Sequence, residues 1–400
     1  MIDITAKLLN GSTFFASEDI ECEITFSCPE FTENSENASS EEAQDNSDVS
    51  ENLAWASAQI HCQCSINEKL ILVDKIKKDA KPTIINSVTT FDPSSSDNGH
   101  AVLITKPKIL FCDMKLSPGE SKSFVYKENI PIHSPPSYLG QAVRYSYKIT
   151  IGTQRVNSPI KLLKIPFRVL PLREEYIIRE VPEATACNEN HELACLNIPD
   201  LDLEKLKIES QPKETDLEIA LQTLQNITAR RSPNYYNITN QRGRVVRFCL
   251  FKNSYKLGED IIGTFDFSNA TVSCTQVSVT LQSEEYIAEE FKKGKTAVSL
   301  SSYNKHHEVV IGYLYTHLML PIPFHITPDF STDLVNLKWR LHFEFVTAVK
   351  PIEFPDENTM NWQAPSTVDI ETMVWDLPVH IYPTTVPPNI TPVVQNSIVI

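Results

Sequence analysis

Four groups of residues in this 400-residue chain have side chains that could do chemistry. Gly294-Lys295-Thr296 has the ending of a phosphate-binding loop, whose backbone N–H groups and lysine would cradle a nucleotide. That loop needs an earlier glycine where the chain turns with positive φ, and the position is held by Glu289, whose carboxylate would repel phosphate. No helix start follows to lend its N-terminus. His306-His307 and His317 could bind metal or move protons, but they fall in a loop and at the start of a strand, with no carboxylate at helical spacing. His342 alternates with Leu341 and Phe343, which puts it on the outer face of its strand. Cys62 and Cys64 flank Gln63 and share one strand face, yet zinc would need a second pair at ligand spacing. The nine cysteines contain no CxxC, so buried thiols are the expected account. No Gly-x-Ser-x-Gly elbow or Cys-His pair stands out. No catalytic constellation, metal or cofactor is expected.

A fourth string, Pro135-Pro136-Ser137-Tyr138, satisfies the Pro-Pro-x-Tyr pattern that WW domains read as polyproline II. Such ligands must be extended and accessible. Here the motif runs directly into the alternating segment Val143-Arg144-Tyr145-Ser146-Tyr147-Lys148-Ile149-Thr150-Ile151, so packing within the fold competes with recognition.

The elements that position these residues are legible from a duplication. Phe15-Ala16-Ser17-Glu18-Asp19-Ile20 through Phe26-Ser27 matches Lys256-Leu257-Gly258-Glu259-Asp260-Ile261 through Phe267-Ser268, displaced by 241 positions (Glu18 against Glu259). The alternating segment from Val143 has a counterpart in Leu337-Lys338-Trp339-Arg340-Leu341-His342-Phe343-Glu344-Phe345-Val346. Ile165-Pro166-Phe167-Arg168-Val169-Leu170-Pro171 is matched by Leu377-Pro378-Val379-His380-Ile381-Tyr382-Pro383, each with prolines where a lost ladder donor does least harm. Three matches in one order predict two similar all-β domains in tandem, over residues 1–171 and 241–383. Short strands separated by turn signals, such as Ser117-Pro118-Gly119-Glu120, predict sandwiches.

Composition narrows the function. The chain is 41% hydrophobic and 22% charged, enough apolar residues for real cores. Ten glycines against 26 prolines disfavour Gly-rich phosphate loops. A formal charge of −15 argues against nucleic acid, which needs a basic face, and against polybasic docking on a membrane. Acidic residues crowd an insertion at about 30–52 that is predicted to be solvated. The connection at 67–100 and the linker at 172–240 are also polar, the linker again acidic. Within it Leu217, Leu221, Leu224 and Ile227 form an apolar stripe that predicts an amphipathic helix over about 216–231. Asp216 at its start and Arg230-Arg231 at its end suit the helix dipole. The stripe could pack across the sandwiches or dock a partner. The tail, 384–400, is Pro-rich and then apolar, and Ser397-Ile398-Val399-Ile400 could enter a PDZ-type groove. Met1-Ile2-Asp3-Ile4-Thr5 reads as a strand rather than a signal, and no apolar run reaches the roughly 18 residues of a membrane span. The sequons at Asn226 and Asn237 are expected to be unused, and the cytosol is the expected compartment.

Pro135-Pro136-Ser137-Tyr138-Leu139-Gly140-Gln141-Ala142-Val143-Arg144-Tyr145 resembles the segment leading into a central strand of arrestin-fold N-domains, and Leu257-Gly258-Glu259-Asp260-Ile261-Ile262-Gly263 looks like the turn opening an arrestin-type C-domain strand. Longer strings are similar to the retrograde Golgi transport protein family: Leu53-Ala54-Trp55 through Gln63, Pro107-Lys108-Ile109-Leu110-Phe111-Cys112-Asp113, Pro118-Gly119-Glu120-Ser121-Lys122-Ser123, Thr150-Ile151-Gly152 through Ile160, and Leu337 through Thr347. The acidic insertion, residues 67–100 and most of the linker carry no such likeness.

The resemblance implies an all-β chain of two tandem arrestin-like β-sandwich domains with an acidic, partly helical linker. It further implies the smaller, non-catalytic subunit of a two-protein guanine-nucleotide exchange factor. The larger subunit would carry β-propellers and a helical solenoid. The target would be a Golgi Rab GTPase of the Rab-six class, in its GDP-bound or nucleotide-free form. GDP release would support retrograde endosome-to-Golgi transport, from the cytosol and the peripheral Golgi membrane, with indirect membrane association. The rival function is an arrestin-like cargo adaptor that recruits a WW-domain ubiquitin ligase through Pro135–Tyr138. Trp55, Tyr138, Arg144, Trp339 and Arg340 join Leu217, Leu221, Leu224 and Ile227 as candidate partner-binding residues, since Trp and Arg are enriched in binding hot spots although a strand Trp is commonly core.

Overall fold

The computed structural model describes residues 1–30, 50–72, 100–176, 215–294, 298–352, 366–384 and 395–400. Most of the acidic insertion, of the 67–100 connection and of the linker lies outside these residues, as do Lys295 and Thr296. The first half supplies β1 (Asp3–Leu8), β2 (Thr13–Phe15), β3 (Asp19–Ser27), β4 (Glu51–Ile66), β5 (His100–Ile104), β6 (Lys108–Leu116), β7 (Ser121–Asn129), β8 (Tyr138–Leu139), β9 (Val143–Arg155) and β10 (Lys161–Leu170). A helix, α1 (Asp216–Ala229), precedes β11 (Asn234–Asn240), β12 (Gly243–Leu250), β13 (Ser254–Lys256), β14 (Asp260–Asp266) and β15 (Cys274–Ile287). Then follow β16 (Val298–Val309), β17 (Tyr315–Pro321), β18 (Phe330–Ser331), β19 (Val335–Ala348), β20 (Ile370–Tyr382) and β21 (Gln395–Val399).

These strands make two sandwiches with one topology. The sheet order β21-β1-β3-β7 is repeated as β11-β12-β14-β17, and β2-β10-β9-β4-β5 as β13-β20-β19-β15-β16. The duplicated Glu-Asp segments build the same device in each. Ser17 and Gly258 both adopt left-handed backbone, with φ of 73° and 81°. The following glutamate then reaches back three residues: Glu18 Oε2 accepts from Phe15 N at 2.7 Å, and Glu259 Oε2 from Lys256 N at 2.8 Å. Each turn follows a short strand, β2 or β13, that pairs in parallel with β10 or β20. The expected turn at Ser117 is present, with Gly119 at φ 82° and Glu120 N bonded to Ser117 O.

Alternation becomes burial as expected. In β19, Leu337, Trp339, Leu341, Phe343 and Phe345 are buried while Lys338, Arg340, His342 and Glu344 face out. Phe248 of β12 meets Phe343 of β19 at 5.0 Å between ring centroids and Phe265 of β14 at 4.7 Å, so aromatic rings tie the two sheets of the second sandwich. Burial of each such ring contributes roughly 1.5–3 kcal/mol. In the first sandwich Phe26 of β3 meets Phe111 of β6 at 5.0 Å.

Three expectations change. The tail strand β21 pairs with β1 from Asp3↔Val399 to Lys7↔Gln395, so Ser397–Val399 is committed to the chain's own sheet rather than free for a PDZ-type groove. His306 and His307 lie within β16 rather than in a loop, because these residues alternate across an antiparallel ladder, while His317 lies near the start of β17 as expected. Helix α1 starts at Asp216 behind a capping box in which Thr215 and Glu218 exchange side-chain bonds, but it ends at Ala229. Arg230 is an extended C-cap, so the two arginines sit beyond the last turn.

The equivalent turns respond oppositely to substitution. Gly258→Ala places a Cβ 2.2 Å from Phe324 in a left-handed position and is expected to lower stability by about 1–2 kcal/mol in denaturant unfolding. Ser17→Gly, which relieves the same backbone, should leave stability unchanged or raise it. Equal losses at both sites would show that the conformation does not govern either turn.

Candidate functional site at the seam between the sandwiches

The alternation that buries Val277, Val279 and Leu281 of β15 also turns Glu285 inward, where it is 3% exposed. Its carboxylate is taken up by the other sandwich. Oε2 accepts from Gln141 N at 2.8 Å and Ala142 N at 3.0 Å, and Oε1 from Val143 N at 3.4 Å. Three consecutive N–H groups form a concave anion site at the start of β9. Gly140 permits this approach, since a Cβ there would lie 2.2 Å from Glu285 Oε1 and 2.3 Å from Tyr138. Tyr138 is buried beside the same carboxylate, and burial together with that negative charge pushes its hydroxyl far above the ordinary tyrosine range.

Around this contact the seam is apolar and hydrogen-bonded. Tyr138 packs edge-on to Phe330 at 4.9 Å. Arg168 donates to Phe324 O at 2.7 Å and Ile326 O at 2.6 Å, Thr327 Oγ1 to Ser137 O at 3.0 Å, and Tyr145 Oη meets Thr332 Oγ1 at 3.2 Å. Leu72 N donates to Phe291 O and Lys293 N to Leu70 O. Beside these contacts opens a cavity of about 1250 Å³ lined from both sandwiches, including Pro135, Pro136, Tyr145, Asp329, Trp339 and His380. On its wall His380 Nδ1 and Asp329 Oδ2 stand 3.1 Å apart. The bond to Asp329 raises the His380 pKa above its ordinary value against the opposing effect of burial, while burial raises the Asp329 carboxyl.

Of the residues singled out from sequence, Tyr138 is the one buried in the seam, and Trp339 lines the cavity, 2% exposed with Nε1 bonded to Thr327 O. Arg144 is exposed beside them on β9. Trp55 lies within the first sandwich, half-buried and bonded to Gln154. Arg340 sits on the outer face of β19, tied to Glu284, Asp376 and Gln282. The stripe of α1 turns inward: Leu224 is buried with Ala220 and Thr228, and Leu217, Leu221 and Ile227 pack partly against the core. A partner reaching the helix in this arrangement meets its polar face, Glu218, Gln222, Gln225 and Asn226.

The Pro-Pro-x-Tyr reading does not survive the geometry. Pro136 and Tyr138 are buried, Ser137 N donates to Val169 O, and Tyr147 Oη bonds to Pro135 O. A WW domain would have to extract the motif from the seam. Cys62 and Cys64 are buried thiols as expected, the Cys64 thiol pushed up to about 12 by burial. Among the described residues no group of His, Cys, Asp and Glu could hold a metal ion.

The Rgp1 family model matches residues 73–179 and 172–348. The chain is 40% identical to RAB6A-GEF complex partner protein 2 of Homo sapiens over 400 residues, spanning 96% of this chain and 95% of that protein. It is also 40% identical to the Bos taurus protein of the same name over 395 residues, 95% of this chain and 93% of that one.

Two measurements check the seam. Glu285→Gln leaves at least one buried N–H facing an amide donor, and should cost about 1–3 kcal/mol in chemical denaturation and broaden the small-angle scattering profile. An unchanged midpoint and profile would remove Glu285 from its structural role. By NMR, His380 should titrate above about 6.5 in the native protein and fall on Asp329→Asn. Because the folded value is raised, this pair's contribution is complete below the unfolded pKa and is lost as pH rises through the folded one.

Proposed function

This chain belongs to the Rgp1 family, and on that premise we propose that it is the smaller, non-catalytic subunit of a two-protein exchange factor for a Golgi Rab GTPase of the Rab-six class. The supporting observation is the 40% identity to proteins named RAB6A-GEF complex partner protein 2, which runs through both sandwiches and the seam between them. The proposed partner is a larger subunit with β-propellers and a helical solenoid. The complex would act from the cytosol and the peripheral Golgi membrane, promoting GDP release in support of retrograde endosome-to-Golgi transport.

The physics asks for surface rather than a nucleophile. A nucleotide held at nanomolar to picomolar affinity represents about 12–16 kcal/mol. An exchange factor offsets this by binding the open, nucleotide-free conformer better than the closed one. A two-sandwich frame held at one angle by a buried carboxylate suits that work, either as a wall facing the GTPase or as a brace for the larger subunit. A rigid frame lowers the entropy lost when a complex forms because fewer segments must be ordered at that moment.

Release of a fluorescent GDP analogue from the Golgi Rab tests the proposal, comparing this chain, the large subunit and the co-expressed pair, with an unrelated Rab as control. Rab-selective acceleration by the pair, and not by this chain alone, is the expected result. A well-formed pair that leaves the release rate unchanged would sink it.

A further inference from the structure

Residues 322–329, between β17 and β18, run along the seam as a strap. Both of its ends are held by the second sandwich: Ile322 N donates to Glu259 O at 2.9 Å, and Asp329 N to Ile381 O at 2.9 Å. Its middle is held by the first. Arg168 donates to Phe324 O and Ile326 O, and Thr327 Oγ1 to Ser137 O. Trp339 Nε1 reaches Thr327 O from below, and just past the strap Phe330 meets Tyr138 of the first sandwich. A shift at the Asp329 end is therefore felt on both sides of the seam.

An unequal ion pair fixes that end. Asp329 and His380 stand 3.1 Å apart, but the Asp329 side chain is 10% exposed and that of His380 56%. A carboxylate at that depth is costly without a cation beside it. Here the cation exists only while His380 is protonated. The bond to Asp329 raises the His380 pKa, while burial and repulsion from Arg173, after β10, and Lys338 of β19 lower it. Arg173 also attracts Asp329, more weakly than His380 does. Glu175 and Tyr176 after β10, Tyr382 on β20 itself and Lys256 of β13, which pairs with Tyr382, complete the titratable surroundings. Among these residue types histidine alone ordinarily changes charge near neutral pH.

We propose that the strap is a pH-dependent latch: with His380 protonated it is held against both sandwiches, and as His380 loses its proton the Asp329 end lifts toward water and the seam loosens. A neutral imidazole can still donate one N–H, so the latch weakens rather than breaks. His380 holds its proton more tightly when Asp329 is in place. Closure is therefore favoured below the open-state pKa and is lost as pH rises through the closed-state one. The latch lies outside the exchange proposal and does not rest on it.

Hydrogen exchange and NMR on the full chain, between about pH 5.5 and about pH 8.5, test it. Exchange of the Asp329 amide, corrected for its intrinsic rate, gives the opening constant of the latch. That constant should rise with pH around the His380 midpoint, about tenfold for each unit by which the His380 pKa falls in Asp329→Asn. The backbone signals of Ser137 and Tyr138, in the other sandwich, should shift with the same midpoint. His380→Gln should open at every pH to the extent the parent reaches at high pH. His380→Arg, a permanent cation, should stay closed throughout. Both substitutions replace a side chain that is largely exposed, so the fold should be kept. An opening constant in the parent that does not change with pH, or a pH response that survives in His380→Gln, overturns the proposal. So does a response confined to residues 322–329 that leaves Ser137 and Tyr138 unmoved, because the seam would then not follow the strap.

Discussion

One buried carboxylate sets the relation between the two halves. Glu285 crosses from β15 into three N–H groups at the start of β9, and among the described residues it closes no ion pair. An ionised group at 3% exposure is costly unless its hydrogen bonds are complete, and here both oxygens are used. The geometry that satisfies it is narrow, because the donors belong to one sandwich and the acceptor to the other. A change of angle between them leaves a charge and three donors unpaired in the same step. Apolar contacts such as Tyr138 against Phe330 tolerate sliding; this one does not, and so fixes the angle.

The seam is also where the duplication folds back on itself. Tyr138 opens β8 and Phe330 opens β18, and both short strands pair with the start of the strand that follows, β9 or β19. The two rings hold equivalent places and meet each other. The backbone repeats as well, with Gly140 N to Val143 O in one half and Thr332 N to Val335 O in the other, and Asn67 N to Ala142 O beside Ala288 N to Leu334 O. In this pseudo-symmetric frame Glu285, opposite Leu337 on β19, corresponds to Cys64, opposite Tyr145 on β9. One side of the seam is filled by a carboxylate in its N–H site. The other has a thiol, and there the cavity opens, lined by Cys64, Thr332 and Leu334. At this pair of equivalent positions the two sides of the seam therefore differ, a carboxylate in its N–H site against a thiol on the cavity wall.

Much of the fold was legible because alternation and turn chemistry are local. The Glu-Asp turns, the long strands at Val143 and Leu337 and the capped helix follow from residues a few positions apart. The partners of edge strands do not. Nothing in Gln395–Val399 says that it completes the sheet of β1, more than 380 positions away by the register Asp3↔Val399, whereas β11 fills the same place beside β12 from across a turn. The seam was half legible. Tyr138 stood out through its motif, and its run into an alternating strand already set packing against recognition; it is buried. Glu285 was missed because Glu284, Glu285, Glu289 and Glu290 look like a solvated run. The signal was its register: counting by two from Val277 places Glu285 on the buried face, where a carboxylate demands a partner.

Register also explains why the strand tryptophans and arginines fared differently. Trp339 shares the inward face of β19 with Leu341 and Phe343, so its size serves the core and only its edge reaches the cavity. Arg340, one residue later, faces out and spends its guanidinium on Glu284, Asp376 and Gln282. A partner competing for it must replace three contacts, so its net gain from that arginine is small even where the geometry fits. Arg144, exposed on the first residues of β9, has no such ties among the described side chains and lies beside the seam. Surface next to a rigid joint can be recognised only while the joint holds its angle, which makes the buried carboxylate a condition for binding there as much as for folding.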